Sequence, residues 1–208
     1  MIRFVTTTLL FTVTLFSISC KSKQPANVPP PLVKKEKPSQ PTDKLQKGPI
    51  INVIDTITPK QVYIIIKDSA ATSAGLSVKL NNIYNKKLVD FIKTNKLKVT
   101  GAPTAWYKTQ KAPFFFEAGL PIEKAPNKLA KGIMVKRTGG DSALLAHFFG
   151  PYDLTNVGYE SLAEILKDRK KRKSAPAFEI YVQNPFEPSK VKIDPYKMQT
   201  DIVMPYKN

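Results

Sequence analysis

The sequence predicts an α+β domain made of two βαββ units that face each other. Three observations predict it. A strand, a helix and two strands read in that order twice along residues 50–208. The last strands of the two halves share local sequence. The 42% hydrophobic content is high enough to pack a core, so the chain is not wholly disordered.

The elements follow from spacing. Residues 61–66 (QVYIII) are β-branched and apolar, a strand signal. Across 72–95, Leu76, Leu80, Ile83, Tyr84, Leu88, Phe91 and Ile92 recur on one helical face, with Thr72 or Ser73 as N-cap. Strands are expected at 102–108 and 113–122. The second half begins with extended apolar runs at 132–137 and 142–149. A helix over 155–169 follows, with Val157, Leu162, Ile165 and Leu166 on one side and Asp153 or Thr155 as cap. Strands return at 177–183 and 198–206. Residues 102–106 (APTAW) parallel 175–179 (APAFE), and 116–121 (FEAGLP) parallel 200–205 (TDIVMP), each of the latter pair with an acid four residues before a proline. Two such units leave a groove at their join, a common place for small-molecule sites.

The first 49 residues have a different character. Arg3 and the apolar run Phe4–Ile18 form the n- and h-regions of a signal peptide over 1–19, shorter than the ~20 residues that span a bilayer. The run Ser17-Ile18-Ser19-Cys20 resembles a bacterial lipobox, with Ser17 where that motif usually has Leu. The resemblance implies lipidation at Cys20 and a membrane-anchored envelope lipoprotein. Residues 20–49 hold seven prolines and many lysines but few large apolar side chains, so they read as a disordered tether. The expected division is therefore 1–19, 20–49 and a folded domain at 50–208.

Composition excludes several functions. The one cysteine rules out an intrachain disulfide or a multi-cysteine metal site. The one histidine rules out zinc sites that need two. No metal and no cofactor are expected. The net charge of +17 comes almost entirely from lysine; the arginines are Arg3, Arg137, Arg169 and Arg172. That balance suits attraction to anionic surfaces at least as well as base readout, and the expected export argues against a DNA role, so no nucleic-acid partner is expected. Arg169-Lys170-Lys171-Arg172-Lys173 reads as a solvated helix end. Gly139-Gly140-Asp141 reads as a turn, without the pattern of a phosphate loop.

Four segments in order carry a family resemblance: 116–122 (FEAGLPI), 147–152 (HFFGPY), 178–181 (FEIY) with Asn184-Pro185, and 200–205 (TDIVMP). From about residue 58 to 206 the chain resembles the GyrI-like small-molecule-binding domain, which is also the effector-binding half of some AraC-type and multidrug-responsive regulators. The resemblance implies a duplicated βαββ fold and a groove with aromatic walls and a buried carboxylate, which maps onto Glu179. Wall positions map onto Trp106, Phe116, Tyr152, Phe178 and Tyr181. The chain departs from the regulators in having a signal peptide and tether instead of a helix-turn-helix, and Phe178 where Trp is frequent.

Strand alternation puts Glu179 on the face opposite Phe178 and Ile180. A carboxylate there would attract cationic aromatic ligands. Glu117, after three phenylalanines, is the second candidate carboxylate; its other reading is an edge-strand charge that discourages aggregation. Trp106 and Tyr107 point opposite ways, so at most one lines a groove, and Trp106 is the expected one. His147 reads as a hydrogen-bonded structural residue, with haem ligation as the other reading. The resulting expectation is a non-catalytic, envelope-anchored binding module for small lipophilic or cationic molecules. The alternative is a hydrolase of cyclopropanoid compounds, which some GyrI-like proteins act on, with Glu179 as catalytic group; a polyanion-binding surface protein is a further reading. The sequence leaves the ligand and the oligomeric state open.

Overall fold

The computed structural model describes residues 48–183, 185–186 and 193–208. The expected signal peptide, Cys20 and all but the last two residues of the tether lie outside them, as does Asn184. Among the described residues nine strands form one antiparallel sheet: β1 (Ile50–Ile57), β2 (Gln61–Ala70), β3 (Thr104–Tyr107), β4 (Phe114–Ile122), β5 (Met134–Thr138), β6 (Ser142–Phe149), β7 (Arg172–Lys173), β8 (Phe178–Tyr181) and β9 (Gln199–Lys207). Their order is β1-β6-β9-β8-β3-β4-β2-β5, with the two-residue β7 paired to the end of β9. The helices are α1 (Ser73–Asn82), α2 (Leu88–Thr94) and α3 (Thr155–Asp168).

The sheet order is a duplication. The run β6-β9-β8 mirrors β2-β4-β3, and β8 and β3 meet at the centre. The register tests the sequence repeat strand by strand. Glu117 lies opposite Lys67 and Pro121 opposite Tyr63; in the other half Asp201 lies opposite His147 and Pro205 opposite Ala143. The parallel between 116–121 and 200–205 is therefore structural. The parallel between 102–106 and 175–179 is one residue out of step. Ala105 lies opposite Ala118 and Glu179 opposite Ile202, so the partner of Glu179 in the repeat is Ala105, not Trp106. Ala105 and Glu179 also face each other across β3–β8, on the axis relating the halves. A slip of one residue reverses the face of every side chain, so this difference decides what surrounds Glu179.

The edge strands cross between the halves. β1 precedes the first unit but pairs with β6 of the second, and β5 precedes the second unit but pairs with β2 of the first. β1 is a strand that the apolar patterning does not signal. Its Ile51 and Val53 pack on the core while Ile50, Ile54 and Ile57 stay exposed. Strand β2 runs four residues further than its apolar stretch, because Lys67–Ala70 continue the ladder with β4.

Helices α1, α2 and α3 cover one face of the sheet. The helix expected over 72–95 begins where Thr72 accepts from the Gly75 amide at 3.1 Å, and it buries the expected face. It is interrupted by a π-helical turn, Ile83–Lys87. Such a turn inserts one residue and so rotates α2 relative to α1. Helix α3 buries Thr155, Gly158, Tyr159, Leu162 and Leu166, so Val157 and Ile165 belong to its flanks. Neither Asp153 nor Thr155 caps it; its N-cap is Leu154. Gly158 lets α3 approach β9: a Cβ there would meet Ile202 Cδ1 at 2.5 Å. Gly139 and Gly140 form the expected turn, both at positive φ, with the Gly140 amide donating to the Thr58 carbonyl at 2.7 Å. Arg169 bonds both carboxylate oxygens of Asp55 on β1 at 2.8 Å, tying the C-terminal end of α3 to the sheet edge.

Candidate ligand-binding site

Glu179 is the one buried carboxylate among the described residues, 3% exposed on a central strand beneath α3. Tyr159 donates its hydroxyl to Oε1 at 3.0 Å. Oε2 is buried with no partner within hydrogen-bond distance. Burial pushes the carboxyl pKa up to about 7, against the pull of the nearby Tyr181, Tyr159 and Tyr152 hydroxyls.

Next to it three tyrosine hydroxyls from three elements form a triangle. Tyr107 of β3 lies 2.8 Å from Tyr181 of β8 and 2.9 Å from Tyr152, which follows the Gly150-Pro151 turn; Tyr152 and Tyr181 are 3.2 Å apart. Tyr84, from the π turn, donates to the Thr104 carbonyl at 2.8 Å. Burial, and secondarily the Glu179 charge, raises Tyr107, Tyr152, Tyr159 and Tyr181, which therefore serve as neutral donors. The triangle's hydroxyls lie within hydrogen-bond distance of one another, and Oε2 has no partner within that distance.

A cavity of about 300 Å³ opens on this group. Its wall includes Leu76 of α1, Tyr107, Phe114, Tyr152, Tyr159 and Glu179, with Asp153 at its edge. It lies between the first helix of one unit and the helix start of the other. The wall combines four aromatic rings with the carboxylates of Glu179 and Asp153 and several uncharged polar side chains, an arrangement suited to a cation carried on an apolar body.

The structure divides the expected site residues between the two faces. Glu179, Tyr152, Tyr181 and Phe116 share the helix-covered face. Glu179 and Tyr152 line the cavity, Tyr181 backs it through the hydroxyl triangle, and Phe116 packs in the core beneath Tyr107, ring centres 6.3 Å apart. Trp106, Phe178 and Glu117 are on the opposite face. There Trp106 stacks with Phe178 at 5.6 Å and edge-on with Tyr63 at 4.9 Å. Glu117 is paired to Lys67 at 2.9 Å and to Lys136 at 2.7 Å, and Lys136 lies over the Trp106 ring. These three do not share a groove with Glu179. His147 is also on that face, with Nδ1 2.8 Å from Asp201 and 3.2 Å from Gln199.

Sequence reasoning misses Tyr107 and Tyr159. Of the pair Trp106-Tyr107, the tyrosine faces the cavity, because Ala105 is the residue opposite Glu179 and Tyr107 follows it by two. Tyr159 is legible from helical spacing, since Thr155, Tyr159, Leu162 and Leu166 mark the buried face of α3.

No family model and no curated protein sequence matches the chain. Solved structures do. The C-terminal domain of EcmrR aligns at TM-score 0.65 and 16% identity, over 76% of this chain and 98% of that one. EcmrR in a complex with DNA aligns at the same TM-score and 15% identity, and there the match spans only 57% of the EcmrR chain. A conserved protein from Listeria innocua aligns at TM-score 0.51 and 11% identity, over 74% of this chain and 92% of that one. At these identities the likeness is one of fold: the chain is an α+β domain with the architecture of the EcmrR C-terminal domain.

Proposed function

We propose that this protein is a binding module for small lipophilic cations, tethered to the bacterial envelope, with the ligand held in the cavity between the two βαββ units. One observation carries the reading. Glu179 lines the cavity beside four aromatic rings, and its Oε2 is buried without a partner. An unpaired buried acceptor costs roughly 1–3 kcal/mol, and a cation in the cavity would supply the missing charge. The resemblance to GyrI-like domains supports the same assignment.

The test is a calorimetric titration with methyltriphenylphosphonium and with triphenylphosphine oxide, a neutral molecule of nearly the same shape. The cation is expected to bind tighter by about 2 kcal/mol or more, as for a charge pair out of water. Equal affinities would leave the cavity apolar only. The hydrolase alternative uses the same carboxyl, since at a pKa of about 7 it could take a proton from water; turnover of a cyclopropanoid that vanishes in Glu179→Gln would favour it.

The envelope assignment rests on the single cysteine at the end of the h-region. Metabolic labelling with an alkyne fatty acid is expected to mark the wild-type protein and not Cys20→Ala. Label retained in the variant, or missing from both, would refute anchoring at Cys20.

A further inference from the structure

A second cleft adjoins the cavity. Among the described residues it is lined by Ser77, Asn81, Asn82, Asn85, Lys86 and Tyr152, together with Val78, Pro185 and Phe186. Ser77 and Tyr152 belong to both walls, so the two spaces meet at the tyrosine that closes the hydroxyl triangle. Their chemistry is opposite. The inner cavity has Glu179 and Asp153 and an aromatic lining. Among the described residues the outer cleft has three asparagine amides and one ammonium group. Among the described residues, Lys86 forms no ion pair.

The cleft is built locally. The π turn places Asn85 and Lys86 beside Tyr84, whose ring packs on Phe186 at 5.6 Å. Asn81 and Asn85 both donate their amides to the Phe186 carbonyl. Phe186 packs edge-on against Tyr152 and Tyr181, at 6.2 and 5.2 Å. Asn81 and Asn85 thus hold the outer wall in place, and Asn82 and Lys86 are the exposed polar groups left to meet a ligand.

From this juxtaposition we infer that the ligand is bipartite and zwitterionic: an aromatic cation in the inner cavity, joined by a flexible chain passing Tyr152 to a carboxylate held by Lys86 and Asn82. The inference rests on the proposed cation site and extends it outward. A carboxylate matches this cleft because ammonium and amide groups supply donors, and an anion there opposes the charge bound at Glu179. A plain alkyl chain would desolvate the amides without replacing their hydrogen bonds.

Three triphenylphosphonium probes, carrying methyl, n-pentyl or 4-carboxybutyl, test it by calorimetry on the full chain. In the wild type the carboxybutyl probe is expected to bind roughly tenfold tighter than the pentyl probe, the size of a charge-assisted hydrogen bond at a partly exposed site. Lys86→Ala should abolish that preference and leave methyl-probe affinity unchanged. Lys60→Ala, which removes the same charge at the far end of β2 from α1, should keep it. A carboxybutyl probe no tighter than pentyl overturns the inference. So does a preference that survives Lys86→Ala, or one that Lys60→Ala lowers equally, since either traces it to the net positive charge. If the methyl probe itself does not bind, the cation site fails and the outer subsite with it; if it binds without tail discrimination, only the subsite fails.

Discussion

Replacing Glu179 with glutamine is expected to stabilise the empty domain at pH 8 by about 3 kcal/mol, the energy of moving a carboxyl from its usual 4.5 up to about 7 at 1.36 kcal/mol per unit. The folded protein holds a proton that the unfolded chain gives up between pH 4.5 and 7. Wild-type stability therefore falls as pH rises through that window and levels off above it, where folding carries a buried anion with one unpaired oxygen. Glutamine keeps the shape and an acceptor for Tyr159, and it does not titrate. The variant should gain little near pH 4 and most above pH 7. For a domain of this size that is roughly 6–12 °C in melting temperature at pH 8. Melting curves of both proteins from pH 4 to 8 decide it. Parallel profiles would mean that Glu179 is solvated in the folded protein and its surroundings do not raise it.

The same substitution is expected to weaken cation binding at pH 8 by ~2–5 kcal/mol while leaving a neutral ligand of equal size within about 1 kcal/mol. A bound cation supplies Oε2 with the charge it lacks and makes ionisation of Glu179 favourable, so wild-type affinity for cations should also rise with pH through 7. The variant should show no such rise. Replacing a core residue whose role is packing would not both stabilise the empty protein and cost it affinity; replacing a carboxylate kept for its charge does both. Titrations of wild type and Glu179→Gln with methyltriphenylphosphonium and triphenylphosphine oxide at pH 6 and pH 8 separate the possibilities. Equal losses for both ligands would assign Glu179 to shape, and no loss for either would place the cation elsewhere.

Residue patterns alone determined a good deal here. The 3.6 period marked the buried face of the first helix, apolar and β-branched runs marked seven of the nine described strands but not β1 or β7, and the matched acid and proline of 116–121 and 200–205 pointed to the duplication. These are local signals, because helix and strand periods are set by the backbone of each segment. The alternation in Phe178-Glu179-Ile180 put Glu179 across the sheet from Phe178, and the resemblance to GyrI-like domains singled it out as the groove carboxylate. The tertiary structure decided what the carboxylate sees. The register of β3 against β8, set by hydrogen bonds to strands distant in sequence, turned Tyr107 toward it and Trp106 away, since one step along a strand exchanges the faces. Glu117 and Glu179 are both acids in apolar strands, yet one meets two lysines at the surface and the other a closed cluster of tyrosines. Whether a carboxylate is paired and solvated or neutral and poised for a cation depends on which strands and helices pack around it, and no stretch of neighbouring residues contains that information.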